Sequence, residues 1–464
     1  MKIRIYILIF LAGVFFSCGE DFLDRTPISN TTADSYYKTA DDMTNAVNAV
    51  YSKLASSAQY GSNFLQLMEY RSDNIKNNNP GAGGGVLYQC ETFTDVPSNS
   101  TLSATWSSLY EAVYAANIVI GRIDGVTFKD ETLKKRLLGE AYFLRALTYF
   151  NLVRLWGKVP LVLREVSVDE SKSIKRSAVS EVYTAIESDL NIAIENLPSG
   201  YASNSVDLGR ASAIAAKALL SKVYLYEKKY TPARILLSEI TEASAKDGTP
   251  LLLTAVKDVF SASNEMNKEI IFAIRYLKGN SGTDHANWYT SGDSDTDLSV
   301  ITALYTSADK RKDLMVLQGS GTNKCPSKLY EAPTGNRQGT DFPVLRYADV
   351  LLMMAEVLNE ESYTADGLAF TYLNAIHTRA GLTAYSSADL ADQSAFRQAV
   401  WNERRLELAL ECDRWFDLVR SGQAITAMST VGYTIQEYQY IYPVPQKQID
   451  IVGSDILDQN DLYN

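Results

Sequence analysis

Histidine is nearly absent from this chain of 464 residues, which contains only His285 and His377. Neither residue lies in a recognisable catalytic or metal-binding motif. A Ser-His-Asp triad, a Cys-His dyad and a histidine-rich metal site are therefore all disfavoured. We expect no cofactor.

Cysteine is also scarce, with four residues and no CxxC pair. The wide spacing of Cys90, Cys325 and Cys412 disfavours both a disulfide-stapled fold and a structural zinc site. Cys90 and Cys325 both fall in loop-like segments and could pair in an oxidising compartment. The sequence leaves that pairing open.

Positive charge is outweighed by negative charge, because 44 Lys and Arg residues face 55 Asp and Glu residues, for a formal net charge of −11. Nucleic acid is not an expected partner, since binding it requires a clustered basic surface. Tyrosine, by contrast, is abundant, with 29 copies. Its ring offers an apolar face and a hydroxyl group at low entropic cost, which suits extracellular recognition surfaces, although much of the tyrosine must lie in the core.

The N-terminus has the form of a secretory signal. Two basic residues precede an apolar run at 5–16 that is too short to span a bilayer as a mature helix. Cys18 follows a small residue at the end of this run, which is where bacterial lipoproteins are cleaved and acylated. We therefore expect residues 1–17 to be removed, Cys18 to carry a lipid anchor, and residues 18–30 to form a tether.

Apolar residues recur at helical spacing along most of the chain and predict a mostly α fold with a few short strands. The predicted helices cover 43–54, 106–120, 133–152, 182–197, 344–358, 368–379 and 396–419. Residues 220–237 match the spacing of a tetratricopeptide helix pair, with Thr231 as the N-cap and Pro232 at the first position of the second helix. Several pairs of similar length predict tetratricopeptide-like helical repeats.

Two long polar segments, 60–101 and 279–297, interrupt the helical pattern, and a short strand is predicted at 270–275. Long loops inside a compact domain are usually functional or disordered, so we expect these two to form a shared ligand site. The candidate ligand-binding residues are Asp73, Asn74, Asn77 and Tyr88 in the first loop and His285, Trp288 and Tyr289 in the second. Aromatic planes stack on the C–H faces of sugars, and polar groups bind sugar hydroxyls. The alternatives are packing of the aromatic pair against the helices and ordinary turn formation by Asp and Asn.

Three carboxylates, those of Glu403, Glu407 and Glu411, lie at i, i+4 and i+8 and form one stripe on a helix. Glycosidases and carboxylate metal sites use such groups. Arginines interleave with the stripe, however, and supply compensating charge, namely Arg404, Arg405 and Arg414. We therefore predict a structural ion-pair network rather than a catalytic pair.

Five motifs occur in order along the chain, namely EDFLD at 20–24, FPVLRYADVLLMMAE at 342–356, YLNAIHTRAGL at 372–382, ERRLELALECDRWFDLVR at 403–420 and YPVPQ at 442–446. Together they resemble the SusD/RagB family of Bacteroidetes outer-membrane nutrient-binding lipoproteins. Some positions depart from the family pattern: His377 replaces the usual Arg, Cys412 replaces the usual Gly, and Asp461, after Gln459 and Asn460, replaces the usual Pro of the closing signature.

The resemblance implies a single SusD-like domain over 31–464, with an N-terminal helical half at 31–250 and a C-terminal half at 251–464. It implies four tetratricopeptide-like pairs and a position on a SusC-like TonB-dependent barrel at the cell surface. Members of the family capture glycans, or in some branches peptides, and pass them to that barrel without bond cleavage. We therefore expect a surface-exposed, lipid-anchored outer-membrane protein that binds oligosaccharide and is not an enzyme. An oligopeptide-capturing subunit is the alternative.

Overall fold

The computed structural model describes residues 37–81, 85–247, 249–279, 285–286, 296–320, 323–331 and 337–463. The predicted signal segment, the lipidation site Cys18 and the tether 18–30 lie outside these residues. Each helix in the described part of the chain is too short or too polar to be a membrane-spanning segment.

Helices dominate the described residues, which confirms the predicted mostly α fold. The α-helices are α1 Ala40–Ala55, α2 Asn63–Glu69, α3 Val86–Thr92, α4 Ser100–Arg122, α5 Glu131–Trp156, α6 Val168–Ser171, α7 Val179–Asn196, α8 Ala213–Tyr226, α9 Tyr230–Asp247, α10 Val256–Val259, α11 Ser299–Thr302, α12 Tyr347–Glu361, α13 Leu368–Arg379, α14 Gln393–Glu407, α15 Arg414–Arg420, α16 Ala424–Thr430 and α17 Gln446–Val452. Long helices pack against one another in chain order, from α1 on α4 through α5, α7, α8 and α9 to α12 and α13. Their buried side chains form one continuous core that runs from Met43 to Leu457.

Helix α1 shows how the sequence specifies these elements. The Thr39 hydroxyl accepts a hydrogen bond from the Asp42 N–H at 3.2 Å, and the Asp42 carboxylate accepts one from the Thr39 N–H at 2.9 Å. This capping box satisfies two backbone donors at the helix start. The buried residues include Met43, Val47 and Val50, which form one face at helical spacing.

The predicted tetratricopeptide pair is present as α8 and α9, which pack together. The prediction that Thr231 is the N-cap of the second helix is wrong. Helix α9 begins at Tyr230, so Thr231 lies inside the first turn, where its hydroxyl donates to the Glu361 carboxylate at 2.7 Å. The connection is short because Lys228 adopts a left-handed φ of 59° that reverses the chain directly after α8. The second helix therefore starts earlier than Pro232 suggested.

Short antiparallel strand pairs connect the helices. The strands are β1 Lys76–Asn77, β2 Val159–Pro160, β3 Arg176–Ser177, β4 Ile270–Ile274, β5 His285–Ala286, β6 Thr296–Asp297, β7 Leu317–Ser320, β8 Asn323–Pro326, β9 Arg337–Gln338 and β10 Phe342–Arg346. They pair as β1 with β6, β2 with β3, β4 with β10, β5 with β9 and β7 with β8.

Strand β4 confirms the strand that was predicted at 270–275, and its partner β10 corrects the helix that was predicted from Val344. Residues 342–346 are extended, and the helix begins only at Tyr347. Pro343 favours an extended residue before it, and the backbone from Phe342 to Arg346 is engaged by β4. The extended run therefore continues up to the helix.

A second correction concerns the continuous helix predicted at 396–419, which is interrupted between α14 and α15. Leu410 and Cys412 have φ values of 67° and 66°, a left-handed conformation that ends a helix. Their N–H groups each donate to the Glu69 carboxylate at 3.2 Å. Glycine adopts such a φ at no steric cost, so Cys412 occupies a backbone position that suits glycine.

The three cysteines among the described residues are buried free thiols, so Cys90 and Cys325 do not form the disulfide that the sequence left open. Cys90 lies in helix α3 rather than in a loop. Burial raises the pKa of Cys325 to about 12 and also raises the pKa of Cys90. Both thiols are therefore unreactive at neutral pH.

The C-terminal segment folds back onto the N-terminal half. The Tyr442 hydroxyl donates to the Leu67 carbonyl at 2.6 Å, and the Trp156 indole donates to the Pro443 carbonyl at 3.0 Å. The Asn460 amide donates to the Trp156 carbonyl at 3.1 Å. The two halves predicted at 31–250 and 251–464 are thus joined by buried hydrogen bonds as well as by a common core.

Candidate ligand-binding site

The two long polar segments meet at the strand pair β1 and β6. The first of them, predicted as a loop over 60–101, contains helices α2 and α3. Lys76 lies opposite Asp297, and Asn77 lies opposite Thr296. A further backbone hydrogen bond joins the Ile301 N–H to the Asn74 carbonyl at 3.1 Å. The segment after α2 and the segment before α11 therefore form one surface, as the shared-site hypothesis requires.

Helix α3 forms the next part of this surface and presents Tyr88, whose side chain is 40% exposed. On the same helix, the Glu91 carboxylate accepts a hydrogen bond from the Asn77 N–H at 2.9 Å and one from the Tyr433 hydroxyl at 2.6 Å. Through these two hydrogen bonds, Glu91 connects α3 to β1 and to the turn after α16. The sequence did not single out Tyr433, because it lies 342 residues from Glu91 and no local pattern links them.

Burial raises the pKa values of both Glu91 and Tyr433. Desolvation raises the pKa of Glu91, and the Tyr433 hydroxyl bond opposes that rise only in part. Desolvation also raises the pKa of Tyr433 well above its usual range, and its bond to Glu91 adds to the increase. The Tyr433 hydroxyl therefore stays protonated and is held as a donor to Glu91.

Asp73 lies beneath this surface and is only 2% exposed. Its carboxylate receives two hydrogen bonds from Arg414, at 2.7 and 2.9 Å, and contacts Arg405 Nη2 at 3.0 Å. Burial alone would raise the pKa of Asp73, but the bonds and charges of the two arginines hold it below its usual value. The expectation that Asp73 offers hydrogen bonds to a ligand is thus corrected, because its oxygens are already bound.

Asn74 is fully buried and is corrected in the same way. Its amide donates to the Glu69 carboxylate at 3.1 Å, and its oxygen accepts from Arg405 Nε at 3.0 Å. Asp73 and Asn74 therefore support the loop from below rather than line its outer face. The stated alternative for these positions was turn formation, whereas the structure shows buried side chains bound to Arg405, Arg414 and Glu69.

Asn77 is 8% exposed and makes a local turn, in which its side-chain oxygen accepts from the Asn79 N–H at 2.8 Å. Its amide nitrogen has no hydrogen-bond partner among the described residues. That nitrogen is itself buried, and Asn77 lies in the strand that joins the two loops.

The second loop is held at both ends. His285 pairs through its backbone with Gln338 in the β5 and β9 pair, and Thr296 and Asp297 are held by β1. Residues 287–295 between these pairs, which include Trp288 and Tyr289, lie outside the described residues. Their role in ligand stacking stays a prediction.

The three carboxylates belong to an ion-pair network, as predicted, but Glu411 lies beyond the end of α14 and not on one helical stripe with the other two. The partners also differ from those expected. Glu403 binds Arg311 at 2.6 Å and His377 at 2.8 Å, and Glu411 binds Lys328 at 2.6 Å. The predicted partners act elsewhere, since Arg404 binds Asp349 and Asp417 while Arg405 and Arg414 bind Asp73. The compensating charge comes from segments that are distant in sequence.

Glu407 lies at the centre of this network and is 1% exposed. Its oxygens contact Arg379 at 2.5 Å, Arg346 at 2.7 Å and Arg311 at 3.2 Å. Desolvation would raise the pKa of Glu407, but the three guanidinium charges hold it far below its usual value. A carboxylate in this state is a fixed structural anion and does not exchange protons near neutral pH.

Two family models match the chain. One, described as starch-binding and associating with the outer membrane, matches residues 21–225, and the other, described as the SusD family, matches residues 303–463. The two matched regions contain all the elements that build the candidate surface except β5, β6 and α11.

Similarity to known proteins covers most or all of the chain. A SusD-like protein of Formosa agariphila is 28% identical, over 100% of this chain and 99% of its own length. A SusD-like protein of Bacteroides ovatus is 26% identical, over 90% of this chain and 82% of its own. The solved structure of a laminarin-binding SusD-like protein has a TM-score of 0.77 and 28% identity, with 92% of this chain and 100% of that one covered.

Proposed function

The chain belongs to the SusD family, and we propose that it is a surface-exposed lipoprotein that captures oligosaccharides and delivers them to a SusC-like TonB-dependent transporter in the outer membrane. Two findings support glycan as the ligand class. The similar structure with 28% identity is that of a laminarin-binding protein, and the matching family model is described as starch-binding.

The observation that carries this proposal is the strand pair β1 and β6. It joins the two loops that the sequence selected and places them beside the exposed ring of Tyr88. An exposed tyrosine plane stacks on sugar C–H faces, and polar groups around it bind hydroxyls. We assign ligand contact to Tyr88 on the described surface and to His285, Trp288 and Tyr289 in the second loop. Asn77, whose side chain is buried, is assigned the role of shaping the strand that joins the two loops.

We assign a supporting role to Asp73 and Asn74. Through Arg405 and Arg414 these two residues fix the base of the first loop against the segment that follows α14. A loop that is held in place before the ligand arrives loses less conformational entropy on binding. These residues are expected to influence affinity through loop position and not through contact.

We also propose capture without bond cleavage. The carboxylates that resembled a glycosidase pair are buried in the ion-pair network, so a bound glycan has no access to them. The exposed part of the candidate surface is formed by tyrosine rings and hydrogen-bonding groups. This arrangement suits binding and release of a neutral sugar chain.

The membrane attachment rests on the N-terminal sequence. Acylation at Cys18 and the tether 18–30 place the domain on the outer face of the outer membrane, beside the transporter. Substitution of Cys18→Ser is expected to abolish incorporation of labelled palmitate and to release the protein from the outer-membrane fraction. Palmitate incorporation that persists in this variant would contradict the assignment.

The test of function is calorimetric titration of soluble protein that begins at Gly19 with laminarin, other neutral polysaccharides, acidic polysaccharides and mixed peptides. The same mixtures are assayed for cleavage products. Saturable binding of a glycan without products supports capture. Binding of peptides alone establishes the oligopeptide alternative, and products would mean that the protein is an enzyme.

A further inference from the structure

One stretch of chain, residues 337–346, pairs with two separate parts of the molecule. Its second half, β10, pairs with β4 in the core, and Phe342 lies opposite Ile274. Its first half, β9, pairs with β5, and Gln338 lies opposite His285. Strand β5 belongs to the second polar segment. The stretch therefore connects the core directly to a part of the chain that carries an assigned ligand contact.

The two strand pairs are joined by connections of very different length. On the side of β4 and β5 the connection has ten residues, 275–284, whereas on the side of β9 and β10 it has three, Gly339, Thr340 and Asp341. We refer to these three residues as the bridge. The bridge limits how far β5 lies from β4, because the four peptide steps from Gln338 to Phe342 reach at most about 14 Å.

The bridge lies directly against the opposite backbone at Gly339. A Cβ atom on Gly339 would lie 2.1 Å from the Lys278 nitrogen, 2.8 Å from the Lys278 Cα and 2.9 Å from the Leu277 carbonyl carbon. All three are backbone atoms, so no side-chain rotation relieves the overlap. Glycine in extended chain often marks such a close backbone approach. A larger residue must push the two chains apart by about 1 Å, since nonbonded heavy atoms prefer separations of about 3.5 Å.

Asp341, at the other end of the bridge, holds the same opposite chain by hydrogen bonds. Its carboxylate accepts a hydrogen bond from the Tyr276 N–H at 3.0 Å and contacts Arg275 Nε at 2.5 Å. Its own N–H donates to the Glu265 carboxylate at 3.2 Å. Desolvation and the nearby Glu265 raise the pKa of Asp341 to about 7. The oxygen that binds Tyr276 accepts in either protonation state, so an uncharged amide can take its place.

Glu331 reinforces the contact between Gly339 and Lys278. Its carboxylate accepts a hydrogen bond from the Gly339 N–H at 2.9 Å, and its other oxygen lies 3.6 Å from Lys278 Nζ. The first residues of the ten-residue connection are thus held to the bridge by close backbone contact, by a carboxylate on the bridge and by a carboxylate beside it.

We propose that Gly339 and Asp341 are positioning residues for the glycan site. Gly339 permits the close approach and Asp341 holds the Tyr276 N–H, and together they place β5, with the ligand contact assigned to His285. This inference rests on the proposed glycan-binding function. Neither residue needs to touch the ligand. Binding groups must be held within about 0.5 Å of the productive geometry, so a shift of about 1 Å at the bridge is enough to weaken binding.

The first test compares Gly339→Ala with two glycine controls. Gly125→Ala adds the same methyl group in open space, because a Cβ there meets no neighbouring atom within 4 Å. Gly139→Ala forces a Cβ to within 2.8 Å of Leu197 Cγ, at the contact of α5 with the end of α7, and controls for a general loss of stability. Affinity is measured by calorimetry with laminarin, or with the other polysaccharide of the functional test that the parent protein binds. Urea unfolding gives the stability of each variant.

Gly339→Ala should lower the affinity by at least about tenfold. Gly125→Ala should leave affinity and stability unchanged. Gly139→Ala should lower stability while the affinity of the folded protein stays within about twofold of the parent. Parent-like affinity of the Gly339→Ala protein overturns the proposal, and so does an equal loss of affinity in Gly139→Ala.

A second pair of variants tests Asp341 without adding steric overlap. Asp341→Asn keeps an acceptor for the Tyr276 N–H, whereas Asp341→Ala removes it. The Asn variant should retain the parent affinity within about threefold, and the Ala variant should lose at least about tenfold. Equal affinities of the two variants would rule out Asp341 as a positioning residue.

Hydrogen exchange followed by mass spectrometry separates this inference from the proposed function, because it needs no glycan. Peptides that contain Tyr276 and the β5–β9 pair should exchange at least about fivefold faster in Gly339→Ala and Asp341→Ala than in the parent. The β2–β3 pair serves as the internal reference. Unchanged exchange overturns the positioning role even if a glycan binds. If the parent protein binds no glycan, the proposed function fails, and exchange alone decides whether the bridge places β5.

Discussion

Replacement of Glu407 by alanine is expected to destabilise the protein by about 3 kcal/mol. The carboxylate is 1% exposed and contacts three guanidinium groups within 3.2 Å. Removal of one member of a buried ion pair costs about 3–5 kcal/mol, because the remaining charge stays desolvated. Each arginine keeps a second carboxylate, so the lower end applies; these partners are Asp309 for Arg311, Glu411 for Arg346 and Glu269 for Arg379.

The assay is urea unfolding followed by far-UV circular dichroism. Asp169→Ala is the matched control, since its pair with Lys172 is on the surface, with the Asp169 side chain 95% exposed, and such pairs contribute about 0–1 kcal/mol. Glu407→Gln keeps the shape of the side chain and should fall between the two. A Glu407→Ala protein within about 1 kcal/mol of the parent would refute the structural interpretation of the stripe. Glycan affinity of the folded variant should be unchanged.

Three further predictions concern the ligand surface and pH. Tyr88→Ala should weaken glycan binding by about 1–3 kcal/mol in calorimetry and leave the urea midpoint nearly unchanged. Tyr114→Ala, at an exposed tyrosine on helix α4, should not alter affinity, and equal effects of the two substitutions would argue against the site. Trp288→Ala should also weaken glycan binding by about 1–3 kcal/mol, and unchanged affinity would remove Trp288 from the site. The pKa values of Asp73 and Glu407 are lowered in the folded protein. The two carboxylates therefore contribute fully to the free energy of unfolding above their unfolded-state pKa values of about 4. This contribution is lost as the pH falls from there through the folded-state pKa values. Unfolding midpoints should therefore drop below about pH 4, and Glu407→Gln should reduce that slope; an unchanged slope would contradict the assignment.

Helix positions were predictable from the sequence where burial alone determines them. The residues of α1 and α13 follow the apolar spacing closely, because each helix buries one face against its neighbours. The boundaries that failed depend on backbone conformation. Nothing in the apolar pattern shows that Leu410 and Cys412 are left-handed or that β4 holds residues 342–346 extended.

The candidate site was predictable by segment and not by residue. Loop length and polarity selected the two segments that the structure joins, but they did not show which side chains face outward. Asp73 is bound by Arg405, which lies 332 residues away in sequence. Contacts of this kind depend on tertiary packing, which a single sequence does not display.

The hydrogen bonds from the C-terminal segment to the N-terminal half determine when folding of the N-terminal half can be completed. Tyr442 and Leu67 are 375 residues apart, and Pro443 and Trp156 are 287 residues apart. Such distant contacts have a high loop-closure cost and tend to form late and slowly. The N-terminal helices can pair locally as the chain emerges, but α2, which lies at the start of the first polar segment, gains its Tyr442 contact only after the C-terminal segment has been synthesised. A chain that is cut short near its end should thus retain helices while it loses the ordered ligand surface.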